Sequence, residues 1–204
     1  MLHTVKFEEV KKEQLAVYRH EKNHVIEIVK GQLITRHKIE SIPGDGKFFV
    51  PNEQYSKLCV VERHGKNGLV GVAPLKGFGI RGGALATTVA HDAHNIIAVG
   101  DNDRDLLVAI HALRELGGGY VIAKGGKVKD ALALPICGLM SDKSAAEVRK
   151  KTTDMLDRAE QMGTQPGIDP FITLSFLALP VIPEIRLTER GLFDAVQMRF
   201  IEEK

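Results

Sequence analysis

The chain has 204 residues, with 28 Lys and Arg set against 26 Asp and Glu, for a formal net charge of +2. That length suits one domain with a substantial core. So small a charge, spread among interleaved acidic and basic residues, argues against a nucleic acid partner. Aromatic residues make up only 5% and Trp is absent, which also disfavours a surface on which bases stack.

The two cysteines and the apolar segments indicate where the protein resides. Cys59 and Cys137 have apolar neighbours and no paired spacing for a zinc site, which is typical of buried side chains in a reducing compartment. The N-terminal residues lack the apolar stretch of a secretion signal. Residues 171–183 are apolar but too short for a membrane span and contain two prolines, so we expect them in the core. These features predict a cytoplasmic protein without a membrane partner.

Alternating apolar segments predict strands in the first half of the chain. A hairpin is expected from residues 24–30 and 32–36 around Gly31, and residues 41–52, rich in Gly, Pro and Asp, form a loop. Further strands are predicted at the following positions: 57–62, 69–73, 84–89 and 96–99. The Asn67-Gly68 pair favours a tight turn between the first two of these, because both residues accept positive φ angles.

Helix signals begin after Gly100. Asp101 and Asn102 can cap a helix to about Leu116, with Gly117 as its stop, and His111 on this helix stands among charged residues as a solvated side chain would. A hairpin over 120–132 follows, and the Ser144-x-x-Glu147 capping box opens a second helix to about Met162. Because short turns join consecutive strands, the sequence predicts an α+β fold with a mixed, largely antiparallel sheet covered by two main helices.

A glycine-rich segment admits two interpretations. Gly77, Gly79 and Gly82 satisfy the G-x-G-x-x-G pattern of dinucleotide-binding folds, and Asp101 follows about twenty residues later. That fold requires a helix to open at the third glycine, whereas residues 84–90 are β-branched at their centre. The pattern therefore favours glycines that let the backbone turn sharply or approach a ligand or partner closely, and Gly83 extends the set.

The segment His91-Asp-Ala-His-Asn95 is the densest group of side chains able to bind a metal or transfer protons. His91, Asp92, His94 and Asn95 are our candidate catalytic residues, with His91 and His94 as candidate metal ligands. A turn between two strands would also explain Asp and Asn here. Two imidazoles and one carboxylate make a thin ligand set, for which Glu62 and His64 are candidate additional donors or contacts to substrate or partner.

Five longer segments carry a family resemblance. They are VERH at 61–64, KGFG at 76–79, VAHDAHNIIAVG at 89–100, LPICGLMSD at 134–142 and DPFITLSFLALPVIPE at 169–184. In sequence and order they resemble the C-terminal domain of bacterial adenine deaminase, a member of the amidohydrolase superfamily. The resemblance extends from about residue 24 to 195, so residues 23–204 are predicted as that domain and residues 1–22 as an N-terminal arm or linker remnant.

The resemblance implies hydrolysis of adenine to hypoxanthine and ammonia with a divalent metal such as manganese or iron. In the family the metal centre lies in a preceding (β/α)-barrel that opens with a His-x-His pair, and this sequence contains no His-x-His. The implied partners are adenine and such a barrel, in the same or another chain, and a homo-oligomer is left open. Two hypotheses follow. The segment at 91–95 completes or covers the active site of the barrel, or the domain is a non-catalytic module that binds a purine or metal or serves assembly.

Overall fold

The structure, a computed structural model, describes residues 2–202. Its strands are β1 (Asn23–Ile28), β2 (Thr35–Glu40), β3 (Gly44–Asp45), β4 (Phe48–Phe49), β5 (Tyr55–Val61), β6 (Val70–Lys76), β7 (Ala84–Thr87), β8 (Ile96–Gly100), β9 (Gly119–Lys124), β10 (Lys127–Ala133), β11 (Ile185–Thr188), β12 (Gly191–Asp194) and β13 (Arg199–Phe200). The helices are α1 (Asp103–Leu116), α2 (Ala145–Gln161) and α3 (Pro170–Leu177), and a short 3-10 helix covers Lys12–Leu15.

Eight of the strands form one sheet in the order β10-β9-β7-β8-β5-β6-β1-β2. Every neighbouring pair in it is antiparallel except β1 and β6, which are parallel. A three-stranded sheet, β11-β12-β13, and the small β3-β4 hairpin complete the strands of the described residues. The predicted α+β fold with a mixed, largely antiparallel sheet is confirmed.

Both faces of the large sheet are covered, because alternate residues of its strands are apolar on each side. On one face Cys59, Ala86 and Ile96 pack against α1. On the other face the neighbouring residues Leu58, Leu85 and Ile97 pack against α2, α3 and the three-stranded sheet. The result is a three-layer domain in which the sheet is the central layer.

The two predicted helices have the expected caps. The side chain of Asn102 accepts a hydrogen bond from the Asp105 amide at the start of α1, and Gly117 ends that helix in the left-handed conformation. Ser144 and Glu147 form the capping box of α2. The third helix, α3, lies in the segment for which we predicted only burial. Within residues 2–202 no helix is long and apolar enough to cross a membrane.

Residues 2–22 pack against the domain and do not form a free extension. Lys6 pairs with His64 in a parallel bridge, and Leu15 is completely buried in the same cluster as α1. The ring of Phe7 stacks on His111, with centroids 6.4 Å apart, so the expectation of a solvated His111 is wrong. The arm covers this part of α1, and burial lowers the pKa of the His111 imidazole.

The glycine-rich segment at 77–83 connects β6 to β7, and no helix begins at Gly82. The carboxylate of Asp101 accepts hydrogen bonds from the amides of both Gly82 and Gly83, so it binds a turn rather than a ribose. A Cβ at Gly79 would come within 2.5 Å of the Gly163 carbonyl oxygen. These glycines therefore permit close packing within the domain, and the dinucleotide interpretation is wrong.

Candidate functional site

The histidine segment lies in the loop from Thr88 to Asn95 that joins β7 to β8. Strand β8 pairs antiparallel with both β7 and β5, so the ends of β7 and β5 lie beside the start of β8. Val61, the last residue of β5, is the direct partner of Ile96. Residues 62–64 and 88–95 therefore meet at one end of the sheet, which we call the histidine end.

The loop folds back on itself at the two histidines. The His91 amide donates to the Ser175 carbonyl of α3 at 2.8 Å, and the His94 amide donates to the Ala90 carbonyl at 2.7 Å. The two imidazole centroids are 5.7 Å apart, and the His91 ring lies 4.8 Å from that of Phe176. A turn therefore places both imidazoles side by side, as an extended strand could not.

Arg63, which is buried and only 2% exposed, also fixes the position of the histidine loop. Its Nε donates to the carbonyl of His94, and its Nη2 donates to the carbonyl of Cys137 at 3.1 Å. Nη1 is buried and has no hydrogen-bond partner among the described residues. A buried guanidinium thus joins the histidine loop to the loop after β10 by donating to a carbonyl group of each.

Glu62 stabilises the turn that follows β5. Its carboxylate accepts hydrogen bonds from four backbone amides, those of His64, Lys66, Asn67 and Gly68, at 2.6 to 3.3 Å. Burial opposes its charge, but these donors outweigh burial and hold the pKa of Glu62 below its usual value. The carboxylate is therefore occupied by the backbone, which leaves it little capacity to bind a metal or a substrate.

His64 and Asp92 are the exposed members of the histidine end. His64 Nε2 lies 2.7 Å from the carbonyl oxygen of Ala93, so this imidazole is hydrogen-bonded to the histidine loop itself. Asp92 faces solvent. Burial lowers the pKa of His94, its neighbours His91 and Arg63 lower it further, and Asp92 raises it. Burial and the neighbouring groups thus favour the neutral form of the His94 imidazole.

Asn95 is 5% exposed and ends the loop. Its Nδ2 donates to Oε2 of Glu189 at 3.1 Å, in the turn between β11 and β12. Because a carboxylate only accepts hydrogen bonds, this contact fixes the orientation of the amide and leaves Oδ1, which is buried, without a partner. A cavity of about 260 Å³ lies between the histidine loop and the Glu189 turn.

The structure separates the glycines from the histidines. Gly82 and Gly83 precede β7, whereas His91 follows it, so the two groups lie at opposite ends of that strand. Gly77 and Gly79 likewise follow β6 at the end remote from the histidine loop, because β6 pairs antiparallel with β5. Only Glu62 and His64, among the predicted substrate or partner contacts, join the histidine end.

The described residues do not form a metal site by themselves. No group of three or more His, Cys, Asp or Glu side chains in residues 2–202 is arranged to hold a metal ion. His91 and His94 are adjacent, but Glu62 is occupied by backbone amides and His64 by a carbonyl. The assignment of His91 and His94 as ligands stays a prediction that needs donors from outside this part of the chain.

Two functional candidates were missed by sequence reasoning. Arg63 stands beside Glu62 and His64 in the sequence, yet arginine is rarely buried and its acceptors are distant carbonyls, so no local pattern reveals its position. Glu189 lies 94 residues from Asn95 in a Glu-Arg-Gly turn typical of a surface hairpin. Only the tertiary fold brings it to the loop.

The geometry defines an α+β domain that presents a polar, histidine-bearing loop at one end of its sheet. The family model described as the adenine deaminase C-terminal domain matches residues 32–199. The chain therefore belongs to the adenine deaminase C-terminal domain family.

Curated relatives agree with this family. An adenine deaminase of Desulfitobacterium hafniense is 47% identical over 177 residues, which cover 87% of this chain and 31% of that protein. One from Halalkalibacterium halodurans is 46% identical over 208 aligned positions, covering 100% of this chain and 36% of that protein. One from Listeria monocytogenes is 48% identical, with 87% and 31% covered. The chain thus spans about a third of the length of these relatives.

Proposed function

We propose that this domain takes part in the hydrolytic deamination of adenine to hypoxanthine and ammonia, together with an amidohydrolase barrel in the same or another chain. The observation that carries the proposal is the match to adenine deaminases along the chain, combined with its coverage of only 31% to 36% of two of them. The divalent metal, manganese or iron, is assigned to the barrel, since residues 2–202 offer no grouped set of ligands.

In this proposal the histidine end faces the barrel. The start of the arm supports that orientation, because the Lys6 amide donates to the Arg63 carbonyl at 2.8 Å and Lys6 pairs with His64. A domain that preceded residue 2 in the chain would be tethered beside the histidine loop. The tether would keep the loop at a high effective concentration near the active site of such a domain.

The residues of the loop differ in exposure and in their contacts. Asp92 is open to solvent and His91 is half-buried, so these two can reach a substrate or accept and donate protons in a neighbouring active site. Asn95 is buried and its side chain contacts Glu189, and the backbone carbonyl of His94, which is half-buried like His91, accepts a hydrogen bond from Arg63. We assign the first pair to direct contact and the second pair to holding the loop in position.

A chimera tests the proposal. This chain would replace the corresponding third of the Halalkalibacterium halodurans adenine deaminase, and ammonia release from adenine would be measured. His91→Ala should lower kcat about a hundredfold, the scale of a lost acid or base. His94→Asn should also lower deamination, and Asn suits this position because His94 has a φ of 49°. His20→Ala, at an exposed histidine outside the histidine end, is the control.

The same variants should leave the stability of the domain within about 1 kcal/mol, as expected for residues near the surface. Thermal unfolding of each chimera provides that comparison. Unchanged deamination in both histidine variants would instead favour a domain that only binds or assembles. Unfolding of both would show that the histidines are structural.

A further inference from the structure

The cavity beside the histidine loop has the features of a small-molecule site within this chain. It has a volume of about 260 Å³, just below the range of about 300 to 1,000 Å³ that is usual for drug-sized ligands. Its lining includes apolar groups from Ala178, Pro180 and Phe200 together with polar groups from Asp92, Asn95 and Glu189. Few polar groups on a mainly apolar surface are typical of a site that fixes the orientation of one ligand.

Glu189 is the most informative group in this cavity. Its side chain is 18% exposed, and Asn95 Nδ2 orients Oε2 from within the core. The other oxygen, Oε1, has no hydrogen bond, since its nearest cation is Arg190 Nε at 3.8 Å. Arg190 is 63% exposed, so this ion pair is screened by water and satisfies the carboxylate only weakly. The carboxylate is therefore fixed through Oε2, while Oε1 is open to the cavity and can accept a hydrogen bond from a bound donor.

The side chains that line the cavity indicate what kind of ligand would carry such a donor. Phe200 is 44% exposed and lines the cavity, so its ring can stack on a planar ligand. Asp92 contributes a second carboxylate from the histidine loop. Two carboxylate acceptors and an aromatic face fit a flat molecule rich in N–H groups. An anion is disfavoured because the two carboxylates outnumber the single guanidinium of the lining, that of Arg190. The volume suits a free base better than a nucleotide.

We propose that this cavity binds an amino-substituted nitrogen heterocycle of the size of a purine base, with its amino group donating to Glu189 and its ring against Phe200. The choice of adenine as the probe rests on the proposed function, because adenine is the substrate proposed there. The site itself lies entirely within this chain. It would therefore bind the base without a barrel, as a site additional to the one that performs the chemistry.

Binding to the purified chain tests the proposal without any measurement of deamination. Titration with adenine, followed by ¹⁵N NMR and calorimetry, should give saturable binding with shifts confined to the residues that line the cavity and their immediate neighbours. Purine, which lacks the amino group, and hypoxanthine, which has a carbonyl there, should bind at least about tenfold more weakly, as expected for a lost hydrogen bond to a charged acceptor.

Two variants separate recognition from folding. Glu189→Gln keeps an oxygen that can accept from Asn95 Nδ2 but removes the charge, and it should weaken adenine binding at least about tenfold. Glu53→Gln, at a side chain that is 81% exposed, is the matched control and should change nothing. Phe200→Leu removes the stacking surface at an exposed position and should weaken binding about fivefold or more.

Three results would overturn the proposal. They are no saturable adenine binding with a Kd below about 1 mM, equal affinity for adenine and hypoxanthine, or unchanged affinity in both Glu189→Gln and Phe200→Leu. If Glu189→Gln does not fold, Phe200→Leu and the three ligands still decide the matter. Failure here would leave the chimera experiment unaffected, because that experiment measures catalysis and this one measures binding to the domain alone.

Discussion

Two buried arginines hold together segments that are distant in the sequence. Arg63 joins the histidine loop to the loop after β10, and Arg186 donates to the Leu33 and Pro183 carbonyls and to Thr35 Oγ1. Neither forms an ion pair with a carboxylate in residues 2–202. Burial lowers the pKa of both side chains, in Arg186 to about 10. Each guanidinium thus retains its charge and is stabilised by carbonyl dipoles.

Replacement of Arg63 by Met should lower the free energy of unfolding by about 2 kcal/mol. The carbonyls of His94 and Cys137 would lose their donor, at about 1 to 3 kcal/mol for each buried group, and relief of the desolvated charge would offset part of that cost. Urea denaturation measures the change. Arg81→Met, at an exposed side chain, is the control, and a loss for Arg63→Met no larger than for this control would contradict the prediction.

Stability should decrease as the pH falls below about 6.5. Burial is the largest cause of a lowered pKa in His37, His94 and His111. The unfolded chain then binds protons at a higher pH than the folded chain, so acid favours unfolding in the interval between the two pKa values. Glu62, whose pKa is also lowered, adds a second loss below about 4.3.

Urea denaturation at several pH values from about 8 to 5 would reveal the first of these losses. In His94→Asn the decline should be shallower, because one of the three imidazoles with a lowered pKa is absent. His20→Ala should retain the full pH dependence, since no buried imidazole is removed. A slope in His94→Asn equal to that of the unaltered chain would show that His94 does not contribute.

Among the elements, those with strong local signals could be predicted and those shaped by tertiary contacts could not. The caps at Asn102 and Ser144 identify α1 and α2 from the sequence. Helix α3 lies in an almost wholly apolar segment, where periodicity does not distinguish a helix from a buried strand. Asp169 followed by Pro170 is its cap and first residue, a signal that could have located it.

The same limit applies to the candidate site. His91 to Asn95 were proposed as candidates from residue chemistry alone, and in the structure a turn places the two imidazole centroids 5.7 Å apart. The glycines were grouped with them because they are close in sequence, whereas a strand separates them in space. Contacts such as Asn95 with Glu189 depend on how β11 and β12 pack, which no short-range pattern encodes.

The N-terminal arm is an element whose contribution can be measured. Leu15→Ala should lower the free energy of unfolding by about 2 to 5 kcal/mol, because this side chain is completely buried against the cluster around α1. Leu2→Ala, at an exposed leucine of the same arm, should cost less than about 0.5 kcal/mol. Equal effects of the two changes in urea denaturation would show that the arm is a dispensable linker.

At the scale of the whole molecule, the outer edge of the large sheet and the histidine end differ in how far they are covered. The outer edge of β2 is covered, since Thr35 exchanges backbone hydrogen bonds with Pro183 and Glu184, and the Glu184 carboxylate accepts from the His37 amide. The histidine end has no such cover over Asp92 or His64, both exposed. The proposed contact with a barrel would cover these exposed side chains.

The last prediction concerns the isolated chain, which should not deaminate adenine at an enzymatic rate. Hydrolysis at neutral pH requires an activated water, and the proposed function assigns the activating metal to the barrel. Within residues 2–202 no three donors are grouped to replace it, and the carboxylate of Glu62 at the histidine end is held by four amides. A neutral His94 can accept a proton but cannot by itself generate hydroxide.

Ammonia release from adenine, measured on the purified chain with added manganese or iron and with preparations free of host deaminase, tests this expectation. Addition of a matching barrel protein to the same samples provides the positive comparison, and activity that appears only in the mixture would locate the missing groups in the barrel. Metal-dependent turnover by the chain alone would refute the prediction. It would also require metal ligands from outside residues 2–202, for instance from a second copy of the chain at the histidine end.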